Sequence, residues 1–387
     1  MALLLFMVGD ANRKGYRHLL DAFWDEARSC GIRLPTKKPV SGVAFCTARR
    51  KISPGVVRTL LHRSADAFDA TFGEEIRWFG RRVFGIDGSK MNLRRAEDLA
   101  DHFGVPSDAH CPQTLVSTLF DLVSKVPHDL VIAPYASSER EQMFLLLDRL
   151  RRGDVLVLDR GYPSFEVLCM LIDAGIDFVI RVPASNTFGA VDALMASGKK
   201  DGEISIAPPD KHPMKDRGPI TLRALRVKPP GGDWTVIVTS LKKADDFTRS
   251  DISNLYRMRW EIEEYYKVVK SPYLGQGQFH SESVAGVEQE LYALALFVAI
   301  TRHLMADAAK KSGAPYATLS PKAGVLGFAD YVVRLLLTAK PHQLVRLFNR
   351  LLDRIVHTRD PRRPGRRFDR RSFRPARKWG PNGRRGG

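Results

Sequence analysis

Residues 153–182 read GDVLVLDRGYPSFEVLCMLIDAGIDFVIRV. Val155 to Leu158 is a short, unbroken apolar run, the composition of a strand buried on both faces. It delivers Asp159 at its C-terminal end, just before a glycine turn. SFEVLCMLIDAG then reads as a helix and DFVIRVP as another strand, which completes a strand–helix–strand unit. Upstream, RRVFGIDGSKMNL (81–93) is an apolar run broken by Asp87-Gly88-Ser89, and TLVSTLFDLV and HDLVIAPY read as strands. SEREQMFLLLDRLR is a helix that starts at a Ser cap. This alternation predicts a mixed α/β sheet and not an all-α domain.

The flanks have a different character. Residues 1–75 read as mostly helical: GYRHLLDAFWDEARSCG is amphipathic, and SPGVVRTLLHRSADAFDATFG begins with Ser53 as N-cap and Pro54 at the first helical position. Between them Arg49, Arg50 and Lys51 form a cluster that fits either a phosphate backbone or a solvated helix end. Residues 183–248 are rich in Pro and Gly, and TLRALRV and DWTVIVTSL alternate as strands do, so an antiparallel β insertion is expected there. Two helical stretches, roughly 284–312 and 322–357, follow. The expected division is a helical DNA-binding region at 1–79, an α/β core at 80–182 and 249–283 split by the insertion at 183–248, a helical region at 284–357, and a disordered tail at 358–387.

A second stretch, YRMRWEIEEYYKVVK (256–270), carries the chemistry. Read as one helix at about 100° per residue, Tyr256, Arg259, Glu263 and Lys270 fall within roughly 60° of one another. Leu255, Met258, Ile262, Tyr265 and Val269 form the apolar face beside them. A narrow stripe that interleaves a carboxylate, a phenol and two cations suits a phosphate held next to a metal; an ordinary solvated face has the same look. Asp87 and Asp159 each end an apolar run, where an aspartate often only caps a turn. Joined by Glu263, they make a set of hard oxygen ligands of the kind Mg²⁺ or Mn²⁺ prefers.

Charge points to a polyanionic partner. The chain holds 61 Lys and Arg against 43 Asp and Glu, a formal net charge of +18. Residues 358–387 contain eleven Arg and one Lys against two Asp, with five Gly and four Pro. That tail has too few aliphatic residues for a core and is expected to be disordered, binding nucleic acid through counterion release or merely solubilising the chain. Phe368, Phe373 and Trp379 among the arginines could stack on bases. MALLLFMVGD is too short for a signal peptide and lacks a basic n-region. Cys30, Cys46, Cys111 and Cys169 have neither CxxC pairing nor framework spacing, so reduced thiols are expected and a zinc site is not.

The spacing Tyr, two residues, Arg, three, Glu, six, Lys at Tyr256, Arg259, Glu263 and Lys270 resembles the signature of bacterial insertion-sequence transposases of the DDE type, in the insertion-sequence-four family. FGIDGSKMNL is similar to the family's first catalytic Asp segment and VLVLDRGYPS to its second; the likeness runs from about residue 40 to 300. It implies an RNase H-like core interrupted by a β insertion, with Asp87, Asp159 and Glu263 holding two Mg²⁺, for which Mn²⁺ substitutes. It implies cut-and-paste transposition: a first nick, a hairpin, its resolution, and strand transfer. Double-stranded DNA, as terminal inverted repeats and target, would be the partner of a homodimer in the synaptic complex. Tyr256, Arg259 and Lys270 would hold backbone phosphates, Arg181 would contact DNA, and Trp234 would stack a flipped base or else be a core Trp of the insertion. The compartment implied is the cytoplasm, at the nucleoid. The alternative is a catalytically inactive DNA-binding relic, whose cheap sign would be a lost carboxylate.

Deleting residues 358–387 is expected to lower non-specific DNA affinity and flatten its salt dependence. An unchanged slope of log K against log salt would show that the tail is no DNA arm.

Overall fold

The computed structural model describes residues 1–10, 15–210, 213–228, 232–271, 274 and 279–358; the basic tail lies outside them apart from Thr358. Four helices open the chain: α1 (Ala2–Gly9), α2 (Tyr16–Ser29), α3 (Gly42–Arg50) and α4 (Pro54–Phe72). Then come β1 (Val83–Asn92), α5 (Glu97–Phe103), β2 (Gln113–Asp121), β3 (Pro127–Pro134), α6 (Glu139–Leu146), β4 (Val155–Leu158), α7 (Phe165–Ala174) and β5 (Asp177–Val182). Residues 183–248 add α8 (Gly189–Ser197), β6 (Asp201–Ile206), β7 (Ile220–Val227) and β8 (Thr235–Thr239). The remaining helices are α9 (Arg249–Arg257), α10 (Trp260–Val269), α11 (Val284–Ser312), α12 (Pro321–Leu337) and α13 (Pro341–His357).

The strands form one mixed sheet in the order β3-β2-β1-β4-β5-β8-β7-β6. β1, β4 and β5 run parallel, while β1–β2 and β2–β3 are antiparallel. That is the RNase H-like arrangement. The antiparallel insertion extends the same sheet, since β8 pairs with β5. Alternation along β4 shows the three layers: Val155 and Val157 join a core with α4, α9, α10 and α11, and Leu156 and Leu158 join a second core with α6, α7 and α8.

Four expectations change. β1 is not broken at Asp87: it runs on to Asn92, because β2 supplies ladder partners along its full length. The stretch 256–270 is not one helix. Arg259 N–H donates to Tyr256 O and Ile262 N–H to Arg259 O, a tight i→i+3 turn that separates α9 from α10. The stretch 322–357 is likewise two helices, divided ahead of Pro341. Finally, Arg49 is no phosphate contact. It is buried, with Nη1 3.1 Å from Glu290, Nη2 bonded to Gly286 O and Nε to Gln289, while Glu290 also accepts the His280 and Ser281 N–H groups.

The apolar start of the chain and α11 find their reason in packing. Leu4, Leu5, Met7 and Val8 are buried against α11 and α12. α11 is long and apolar enough to cross a membrane, yet 72% of its most apolar window is buried inside the protein, as in a core helix.

One contact fixes α10 on the sheet. The Tyr266 hydroxyl lies 2.9 Å from Asp87 O, 2.8 Å from Val116 O and 3.0 Å from Thr118 Oγ1, so it grips β1 and β2 together. Ile262 and Leu255 bury fully beneath it, each worth about 1.5–3 kcal/mol.

Tyr266→Phe is expected to cost about 1–3 kcal/mol by leaving buried acceptors unpaired, read as a lower urea midpoint. Arg49→Ala should cost about 3–5 kcal/mol because Glu290 is left charged and buried. The exposed Arg50→Ala should stay within about 0.5 kcal/mol in the same denaturation series.

Candidate active site

Parallel β1 and β4 pair only as far as Gly85 with Val157. Two residues further along each strand come Asp87 and Asp159, at the carboxyl end of β4, where α/β sheets characteristically open a crevice. The turn after β4 orients Asp159: Gly161 N–H donates to its Oδ1 at 2.7 Å. Asp87 lies on the α10 side of the sheet, its Oδ1 accepting from Gly88 N–H at 3.1 Å. Burial pushes its carboxyl up to about 6, opposed by Arg259 and reinforced by Glu139 and Asp159.

The turn between α9 and α10 brings the third carboxylate. Arg259 Nη2 is 2.6 Å from Glu263 Oε1, and its Nη1 is 3.8 Å from Asp87 Oδ2. The guanidinium therefore lies between the two acids as a cation that both share. Although burial opposes the charge, the Glu263 hydrogen bond and the surrounding Tyr256, Glu263 and Asp87 hold Arg259 protonated. Asp87, Glu263, Tyr266 and Lys270 line one open cleft. Lys270 reaches back to β1, its Nζ donating to Ser89 Oγ at 2.7 Å and to Lys90 O at 2.9 Å, and burial lowers its pKa.

Tyr256 and Arg181 extend the group along the sheet. Burial raises the Tyr256 phenol, while the charges of Arg259 and Arg181 pull it down. Arg181 Nε donates to Thr235 Oγ1 at 3.0 Å, tying β5 to β8. Next to Thr235, Trp234 is 38% exposed, which excludes the core-Trp reading. Its ring carries the Arg226 guanidinium at 4.8 Å. All eight residues singled out in the sequence thus lie on elements that meet at or border the carboxyl end of β4 and β5.

Sequence reasoning missed three neighbours. Tyr266 was invisible because helical periodicity places it between the apolar and charged stripes. Glu139, at the first position of α6, has the appearance of any acid in a helix's first turn. Tyr162, only 2% exposed, donates to Glu139 Oε2 at 3.3 Å; nothing local marks it.

A separate group, Asp69, Asp121 and His128, has ligand atoms within 4.8 Å of one another but shares no residue with this cleft. It lies near the start of β1, where Phe84 pairs with Asp121, and Arg82 and Arg77 already neutralise Asp69.

Against known proteins, residues 78–300 match the family described as the transposase DDE domain. The chain is 25% identical over 287 residues to transposase InsG for insertion sequence element IS4 of Escherichia coli (strain K12); the alignment covers 71% of this chain and 63% of that protein, so less than two thirds of the relative's length is spanned. The solved piggyBac transposase synaptic complex with hairpin DNA aligns over 94% of this chain and 86% of that one, at TM-score 0.47 and 10% identity, too distant a likeness to build on. The family match takes in β1, β4, α9 and α10 and more than half of the sequence, and the chain belongs to the transposase DDE domain family.

Proposed function

We propose that this protein is a DNA transposase that moves an insertion sequence by cut-and-paste chemistry. The observation that carries the reading is the Arg259 guanidinium held between Asp87 and Glu263, with Asp159 near enough to raise Asp87. Carboxylates gathered around a shared cation, with no His or Cys among them, suit Mg²⁺ or Mn²⁺. Asp87, Asp159 and Glu263 would hold two such ions. Bound there, the ions would activate a nucleophile and stabilise the leaving oxygen of an in-line phosphoryl transfer.

The remaining residues handle DNA. Arg259, released from its carboxylates, can grip a phosphate bidentately, and Lys270 adds a point charge. Tyr256, on the helix that leads into Arg259, would bond the same backbone. Trp234, exposed beside Arg226 and Lys228, offers a face for a base extruded at a hairpin. Water would first free a 3′-OH at the element's end. That hydroxyl would attack the opposite strand to close a hairpin, water would reopen it, and the 3′-OH would join target DNA. The +18 charge fits a duplex partner, with two copies of the chain holding two ends.

DNA carrying the element's terminal repeats, incubated with and without Mg²⁺ and resolved on a denaturing gel, should show metal-dependent nicks followed by hairpins. Glu263→Gln is expected to keep DNA affinity within a few-fold and to lose cleavage by on the order of 10³-fold or more. Tight binding without cleavage by the unaltered protein would mark a DNA-binding relic, and a Glu263→Gln variant that still cuts would remove Glu263 from the site. Arg259→Ala should depress hairpin formation more than first-strand nicking; equal losses would leave Arg259 a purely structural role.

A further inference from the structure

We propose that Glu139 is a fourth carboxylate of the ion-binding site, reaching it from the face of the sheet opposite Glu263. The proposal rests on reading Asp87, Asp159 and Glu263 as metal ligands.

The argument begins with the overhang of β1. Its ladder with β4 ends at Gly85, while its ladder with β2 continues to Asn92. Past Asp87, then, the β4 side of the strand has no neighbouring ladder. Gly88 sits at that opening, facing α6. A Cβ built there would lie 2.5 Å from Glu139 Cδ and 2.6 Å from its Oε1, so the carboxylate occupies the volume that any other residue's side chain would fill. The Gly88 N–H donates to Asp87 Oδ1 at 3.1 Å, so the residue that abuts the Glu139 carboxylate also holds that of Asp87. Two carboxylates from opposite faces thus meet at one residue.

Glu139 is held there from behind. The buried Tyr162 hydroxyl donates to its Oε2, which leaves Oε1 on the Gly88 side. An acid that only complemented the α6 dipole would gain nothing from such a location, and exposed Glu141 in the same turn already meets that need. Divalent ions complete six-fold oxygen shells largely with water, so a fourth carboxylate on one wall would replace a water and offset two positive charges more fully.

The test is Mn²⁺ binding to the full chain without DNA, followed by isothermal titration calorimetry, with metal-free melting by circular dichroism as the fold control. Glu139→Gln, isosteric and neutral, is expected to weaken Mn²⁺ binding about 10-fold or to remove one ion from the stoichiometry, with melting unchanged. Glu141→Gln should bind as the parent does, and Asp87→Asn should lose binding. Gly88→Ala, which displaces the Glu139 carboxylate without altering its charge, should weaken binding several-fold and stands in if Glu139→Gln does not fold. Parent-like binding by Glu139→Gln beside lost binding by Asp87→Asn would overturn this inference alone. A parent protein that binds no Mn²⁺, or an Asp87→Asn variant that binds as well as the parent, would overturn the metal-site reading and Glu139 with it.

Discussion

The Tyr266 hydroxyl on the Asp87 carbonyl determines where α10 meets the sheet, and the cleft follows from it. One phenolic group touches the backbone of β1 at the very residue whose side chain enters the cleft, and the backbone and a hydroxyl of β2 beside it. Glu263 stands three residues earlier on the same helix. Its carboxylate is thereby placed near Asp87 by a contact that involves neither charge. Ile262, Tyr265 and Val269 are buried beside it, but apolar contacts are non-directional. The hydrogen bonds set the register, and they do so inside the protein, where leaving them unmade is costly.

Charge is arranged around that anchor. Asp87 and Glu263 line the cleft, and Arg259 is the cation seen against both. Burial pushes the Asp87 carboxyl up to about 6; Arg259 opposes that shift, and Glu139 and Asp159 add to it. On the proposed reading, cations bound beside these acids would replace Arg259 as their counter-ion and free the guanidinium to clamp a phosphate.

Much of this was legible in the sequence because it rests on local patterns. The run at Val155–Leu158, the helix at 164–175 and the next strand gave the mixed sheet, since buried parallel strands and amphipathic helices leave different periodicities. Spacing brought Tyr256, Arg259 and Glu263 to one side even though the helix there is broken, because a single tight turn rotates the stripe only modestly. What stayed hidden depends on partners far along the chain. Asp87 looked like a strand end because its Gly88-Ser89 neighbours are turn formers; β2, some thirty residues on, supplies the ladder that keeps them extended. Arg49 looked like part of a surface cluster, and only α11 reveals Glu290 beneath it. Glu139 needed the third dimension twice over, through Gly88 on one side and Tyr162 on the other.

Anomalous diffraction from crystals soaked in Mn²⁺ addresses the central claim most directly. The account predicts anomalous peaks in the cleft bounded by Asp87, Asp159 and Glu263, with Arg259 displaced from its position between the acids. An empty cleft, or a peak confined to Asp69, Asp121 and His128, would contradict it.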